Sequence, residues 1–345
     1  MDLELSDEQT WLSESVETLL ARDPEHRRVW ASLVEFGALS VGRDGGLGAV
    51  ELCLIARALG KHLAPVPYLG SAALRFAVEP LGADFGEDAA ALAVLEPGSG
   101  WAATSPRTAI EPAANGGVVT GRKAAVEHAD SVERLAVVAA GARGPVLAIV
   151  ESGAPGVALA PQPALDPTAP MYVVDLVEAP VQTDPLGGET IDRIMTIGAL
   201  LAAAEAVGAA GRLLEDACGY AGERRQFGRT IGSFQALRHL LADMYVRHAS
   251  SWSSVLYAAA ALDEDADDAG RTAAIAKAYV SRAAREVAHG AMQVFGGIAV
   301  TAEHPAHRFL RRIVVREQQF GDAAHHERAL GRALAASAIP EAVSR

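Results

Sequence analysis

Apolar positions recur at three- and four-residue spacing from about Leu5 to Ala83, as in Val16, Leu19 and Leu20 and again from Val50 through Leu59. That spacing lines one face of a helix, and it predicts a helical domain over residues 1–88. Ser6 followed three residues later by Gln9 forms a capping box for the first helix. Arg43-Asp44-Gly45-Gly46 and Pro65-Val66-Pro67 interrupt the pattern. From about Ala89 to Val181 the texture changes to short Val, Leu, Ile and Ala runs separated by Gly, Pro and Asn: Ala91–Leu95, Arg134–Ala139, Val146–Val150 and Tyr172–Val177. Asn115-Gly116-Gly117 ahead of Val118-Val119 is a turn signal. These runs predict a small β domain, barrel-like, over 89–186.

Beyond Glu189 the helical pattern returns. A long helix is expected from near Thr190 to Gly222, and a second after Ser233 as its N-cap, with Leu237, Leu240, Leu241 and Met244 on one face. The acidic loop Asp263–Gly270 separates it from a third helix that stops at Gly296-Gly297, and Pro305 begins or kinks a fourth. Long helices with short connections predict an antiparallel four-helix bundle over 187–345. The expected fold class is α+β, mostly α.

Composition narrows the function without naming it. At 345 residues, 50% hydrophobic and 21% charged, the chain exceeds one ordinary core and has the profile of a soluble globular protein. A formal net charge of -13 argues against nonspecific attraction to nucleic acid or to an anionic membrane surface. Cys53 and Cys218 lie far apart and form neither a disulfide framework nor a CxxC metal knuckle. The acidic N-terminus lacks the basic region and apolar core of a signal peptide, so a cytoplasmic location is expected. The apolar run from Ile194 to Gly211 is mostly Ala and Gly and carries Glu205 mid-span, which reads as a buried core helix rather than a membrane span. The acidic run Asp263–Asp268 lacks the glycine and terminal glutamate of a calcium loop, so it reads as a solvated helix connection. No metal site is expected.

Three segments carry a resemblance. Glu223-Arg224-Arg225-Gln226-Phe227-Gly228-Arg229-Thr230-Ile231-Gly232-Ser233-Phe234-Gln235, with Leu-Ala-Asp-Met at Leu241 to Met244, fits an R-x-x-F-G-x-x-I-x-x-F-Q run. Gln293-Val294-Phe295-Gly296-Gly297 is followed by Glu303-His304-Pro305 and Arg308, and Leu95-Glu96-Pro97-Gly98-Ser99-Gly100 opens the β region. Together with the order of the three regions, these segments resemble the acyl-CoA dehydrogenase family over essentially the whole chain. The resemblance implies FAD as cofactor and an acyl-CoA thioester as substrate. It further implies cofactor contacts from Arg224, Gln226, Phe227, Gln235, Gln293, Gly296 and Gly297, which in this family reach the FAD held mainly by a neighbouring subunit. The residue types suit a dinucleotide. Arg224 brings a charge that never deprotonates, the glutamine amides can donate to phosphate or adenine, Phe227 offers a ring face, and the glycine pair lets backbone amides approach a diphosphate.

The family reaction removes a proton from the thioester α-carbon and sends a β-hydride to the flavin, so it needs a carboxylate base. Most members carry that glutamate in a Y-E-G-T-S-Q-like loop, where this chain reads Phe320-Gly321-Asp322-Ala323-Ala324-His325. Gly321 takes the glutamate position, and Ala323 and Ala324 replace hydroxyl residues. The alternative position on the first bundle helix falls on or next to Gly198, with Asp192 and Glu205 displaced from it. No catalytic residue is therefore assigned. In the middle region Leu95, Trp101 and the Val126-Glu127-His128-Ala129 segment also depart from the pattern, and the stretch between Leu81 and Leu92 is contracted.

The chain thus most resembles the short, glutamate-lacking subunit of actinobacterial heterotetrameric acyl-CoA dehydrogenases that act on steroid side-chain CoA thioesters. That reading implies a homologous partner subunit bearing the glutamate, and electron-transfer flavoprotein as acceptor. Two other readings stand beside it: a self-sufficient homo-oligomeric dehydrogenase using Asp322, and a noncatalytic scaffold without FAD contact.

Overall fold

The computed structural model describes residues 3–23, 25–42, 46–81, 88–101, 106–113, 116–182 and 185–338. The chain divides into two compact units, one of residues 12–55 and 64–198, the other of residues 1–11, 56–63 and 199–345.

The first unit holds helices α1 (Asp7–Arg22, from Leu12 on), α2 (Val29–Glu35), the start of α3 (Ala49–His62) and α4 (Tyr68–Val78). Ser6 caps α1 as expected: its hydroxyl accepts from Gln9 N at 3.2 Å, and Gln9 Oε1 accepts from Ser6 N at 3.1 Å. The proline break also holds, since α3 stops at His62 and α4 starts directly after Pro67. The interruption near Gly46 falls between the two residues of a Val41–Leu47 bridge, ahead of α3, with Arg43, Asp44 and Gly45 outside the described residues.

The same unit contains a seven-stranded sheet of β1 (Ala90–Ala93), β2 (Ala109–Ala113), β3 (Gly116–Glu127), β4 (Arg134–Gly141), β5 (Gly144–Glu151), β6 (Val157–Gln162) and β7 (Met171–Pro180). The strand order is β1-β4-β2-β3-β7-β6, with β5 on β4. All four predicted runs are strands, and the hairpin before Val118 is present because Ala113 pairs with Gly116. Its turn, including Asn115, lies outside the described residues, as does most of the contracted stretch after Leu81.

Strands β2 and β6 were not expected. Their residues are half exposed and carry prolines, Pro112 and Pro161, which demote a run to an edge strand or a loop, even where β6 opens on Val157-Ala158-Leu159-Ala160. The β3–β7 pairing shifts register between Val119 and Gly121 and again between Lys123 and Val126, and such irregularities bend a sheet. The bend encloses a small-residue core that includes Val119, Val126, Leu135, Val137, Val150, Val174 and Leu176, against which Trp30 of α2 packs.

In the second unit, α5 (Gly188–Glu223, from Ala199 on) lies against the end of α3. A Cβ on Gly60 would fall 1.9 Å from the Glu205 carbonyl oxygen, and one on Gly208 would fall 1.9 Å from that of Arg57. Only glycine permits so close a crossing. α5 is long and apolar enough to cross a membrane, but most of it is buried within the protein. After it come a two-residue hairpin, β8 (Arg225–Gln226) with β9 (Arg229–Thr230), then α6 (Gln235–Asp263), α7 (Ala269–Phe295), α8 (Ala306–Gln318) and α9 (Ala323–Ala338).

Ser233 does not cap α6. It sits in a short 3-10 turn, Ile231–Ser233, where its hydroxyl donates to Thr230 O at 2.6 Å, and Phe234 occupies the N-cap without a side-chain bond. The apolar pattern alone did not reveal that turn. The helical stretch after Pro305 is broken in two, because Phe320 and Gly321 both take left-handed backbone angles, φ 56° and 96°. A right-handed helix does not continue through such residues.

Candidate cofactor half-site at one end of the bundle

Helices α6 and α7 run antiparallel: Arg247 pairs with Glu286, and one turn further along Met244 packs against Gly290. Continuing that register brings the start of α6 beside the end of α7. The end of α5 joins them, since the Tyr220 ring meets the Phe295 ring edge-on at 5.5 Å. The turn Ile231–Ser233 tucks against the same helix end, with the Gly232 Cα close to the Ala221 carbonyl. Arg224, Gln226, Phe227, Gln235, Gln293, Gly296 and Gly297, which span more than seventy positions of sequence, are therefore gathered at one end of the bundle.

All seven are exposed. Among the described residues the Arg224 side chain has no hydrogen bond or ion pair, while its backbone is held by Arg224 N to Tyr220 O and Ile231 N to Arg224 O, both 2.8 Å. Gln226 differs from expectation in that its amide Nε2 donates to Arg225 O at 2.8 Å. Phe227 is 93% exposed and has a left-handed φ of 52°. It meets Phe234 edge-on at 6.2 Å, and the Arg229 guanidinium covers that second ring at 4.1 Å.

Gly296 takes φ 67° and ψ -145°, a backbone region open mainly to glycine. Gly297 is different. A Cβ there would meet nothing within 4 Å, so the protein's own packing does not require its small size. Together these features fit a phosphate-bearing group: an unengaged guanidinium, a glycine with open space, and a helix start whose N–H groups lack a side-chain cap.

The Phe320–Ala324 segment gives no such picture. Gly321 is buried, and the adjacent Asp322 is committed elsewhere: its Oδ1 accepts from His325 N at 2.7 Å and so caps α9. Glu205 is also committed. It is 1% exposed, its Oε1 accepts from Arg312 Nη1, and its Oε2 accepts from Arg316 Nε at 2.7 Å.

Below the break, the Lys277 amine donates to the carbonyls of Arg316 and Glu317, the latter at 3.0 Å, closing the end of α8. Burial pulls its pKa down to about 7, with Glu317 acting against the fall. In the sheet, Glu96 accepts from Arg107 N, Thr108 N and the buried Lys123 amine at 2.8–3.0 Å. Burial would raise its pKa, but these donors hold it well below the usual carboxylate range. Glu96 therefore ties strands together. Sequence reasoning missed Lys277, Arg312 and Arg316 because charged residues on helix patterns read as surface. Their partners lie about forty to more than a hundred positions away.

Comparison with known proteins matches this layout. Residues 187–335 match the family described as "Acyl-CoA dehydrogenase, C-terminal domain". The acyl-CoA dehydrogenase IpdE2 of Mycolicibacterium smegmatis is 30% identical over 301 residues, 86% of this chain and 84% of that protein. The chain belongs to the acyl-CoA dehydrogenase family.

The expected family and fold are thereby met, and the activity class is that of an oxidoreductase. Among solved structures, the ChsE4–ChsE5 complex from Mycobacterium tuberculosis superposes with a TM-score of 0.87 at 27% identity, covering 99% of this chain and 100% of that one. A variant of the Tcur3481–Tcur3483 steroid ACAD gives 0.87 at 26% identity, covering 96% and 99%. Within this acyl-CoA dehydrogenase, then, the bundle end gathers exposed candidate residues while position 321 is a glycine.

Proposed function

We propose that this chain is the non-base-bearing subunit of a heteromeric acyl-CoA dehydrogenase of the cytoplasm. It lends Arg224, Gln226, Phe227, Gln235, Gln293, Gly296 and Gly297 to an FAD held mainly by a homologous partner, which brings the glutamate. FAD, when bound, supplies the redox chemistry. Arg224 neutralises diphosphate charge, the glutamines orient the dinucleotide, Phe227 covers it from water, and Gly297 admits close approach. The substrate class is an acyl-CoA thioester, with a steroid side chain as the favoured acyl group, and electron-transfer flavoprotein is the acceptor.

The observation that carries this reading is that the seven residues are gathered and exposed at one end of the bundle, with Arg224 unengaged among the described residues, while Gly321 stands where the base would be. Two similar structures, the ChsE4–ChsE5 complex and a variant of the Tcur3481–Tcur3483 steroid ACAD, support the heteromer and the substrate class. The Asp322 reading is disfavoured because that carboxylate caps α9, and the scaffold reading because Arg224 is left without a structural task.

The test is co-expression with a homologue that carries the glutamate, followed by flavin counting and a substrate panel. Arg224→Ala removes a charge-assisted bond worth about 1.5–3 kcal/mol, roughly tenfold to more than a hundredfold in FAD affinity. The isolated chain should keep its helix content while the assembled oligomer loses flavin, and Arg224→Lys should rescue in part. A single purified chain that binds stoichiometric flavin and oxidises acyl-CoA would sink the proposal.

A further inference from the structure

Gly321 is more than the place of an absent carboxylate. It follows Phe320 in a pair of left-handed residues, a conformation that side chains other than Asn and Asp rarely adopt. A Cβ at this position would lie 2.5 Å from His325 Cδ2, 2.9 Å from His325 Cγ and 3.0 Å from His326 Nε2. No ordinary packing contact is that short.

The surroundings are held in place. His326 is 8% exposed, its Nε2 donates to Phe320 O at 3.0 Å, and the two imidazoles meet edge-on with centroids 5.1 Å apart. Asp322 fixes the backbone of His325, Gln319 N donates to Val315 O at 3.1 Å, and Lys277 anchors the end of α8 one turn earlier. An imidazole thus stands where the first atoms of any side chain at 321 would go, and the turn beneath is tied by the bonds of His326, Gln319 and Lys277.

We propose that the His325–His326 pair is a steric stopper that excludes every side chain from position 321. The chain then cannot regain a base there by substituting that position alone, and the reaction is confined to sites whose glutamate a partner brings. This rests on the non-base-bearing reading above.

The experiment is a double-mutant cycle on the full chain, read by thermal unfolding. Gly321→Asn tolerates the left-handed backbone and isolates the steric conflict. It should lower the melting temperature, and adding His325→Ala should recover most of that loss, a non-additive result expected only of groups that compete for space. Should His325→Ala fail to fold, His325→Ser completes the same cycle. Strictly additive shifts, or a Gly321→Asn chain as stable as its parent, overturn the proposal.

A second arm uses the assembled oligomer, where His325→Ala should leave turnover unchanged. Loss of kcat with KM unaltered would mean that the imidazole acts on substrate and does not merely fill space, which also overturns it. One flavin on every chain of the oligomer would refute the subunit reading, yet would leave the cycle on the full chain to stand or fall by itself.

Discussion

Replacing Glu205 with alanine would strip the carboxylate that Arg312 and Arg316 both grip, in a place where the two guanidinium groups are 0% and 2% exposed. Burying the three groups costs several kcal/mol per ion before pairing, and the pairing offsets it only while both partners are present. Arg316 also donates to Gln319 Oε1. Losing one partner of a buried pair costs about 3–5 kcal/mol. At roughly 2–4 °C per kcal/mol for a domain of moderate size, the melting temperature should fall by about 6–20 °C.

Far-ultraviolet circular dichroism during heating of the purified chain at pH 7 reads the shift directly. A charge-free core, Glu205→Leu with Arg312→Met and Arg316→Met, should cost less than Glu205→Ala alone, because it removes the buried charges together with their partner. If Glu205→Ala melts at the parent temperature, the triad is not a buried ion cluster and its place in the bundle is misassigned. If it melts normally but abolishes turnover in the assembled enzyme, Glu205 belongs to the chemistry instead.

Other outcomes follow from single contacts. Gly297→Ala should leave the melting temperature unchanged, since its Cβ would meet open space, yet lower flavin retention in the assembled oligomer. Gly208→Ala should do the reverse, destabilising the chain by about 1–3 kcal/mol or more through overpacking against Arg57; denaturant unfolding of the isolated chain checks it. Burial, helped by nearby Lys277, pulls the His326 pKa down to about 4 from an unfolded value of 6.5. The neutral ring is thus favoured in the folded state, and its contribution is complete above pH 6.5 and lost as the pH falls toward 4. The full loss is up to about 3 kcal/mol, so His326→Gln should lose less stability than the parent between pH 7 and 4.5 in parallel melts. Ser6→Ala should cost about 1 kcal/mol by removing the α1 cap.

Much of this protein is local in its causes, and that part was legible in the chain. Helices α1 and α5, the four runs that became β1, β4, β5 and β7, and the stop at Gly296-Gly297 depend on periodicity, capping and glycine chemistry within a few residues of themselves. The candidate half-site residues were named from short strings that resemble the family's motifs, and the fold gathers them at one end of the bundle. Strands β2 and β6 left a weaker trace: Ile110, Val157 and Leu159 pack against the core, but each strand is only partly buried, carries a proline and is completed by pairing with β3 or β7.

The division of labour among charges was settled only by tertiary structure. The apolar run around Glu205 marks a buried helix, but nothing in it names the cations that hold the carboxylate; α8 lays Arg312 and Arg316 over it, more than a hundred positions later. Asp322 could have been a base until α9 used it as a cap, and the sequence gives His325 and His326 no role until the left-handed turn at Phe320-Gly321 brings them against the glycine. A sequence records which groups are available, but how far each is desolvated and which partner reaches it first depend on packing between segments far apart in the chain.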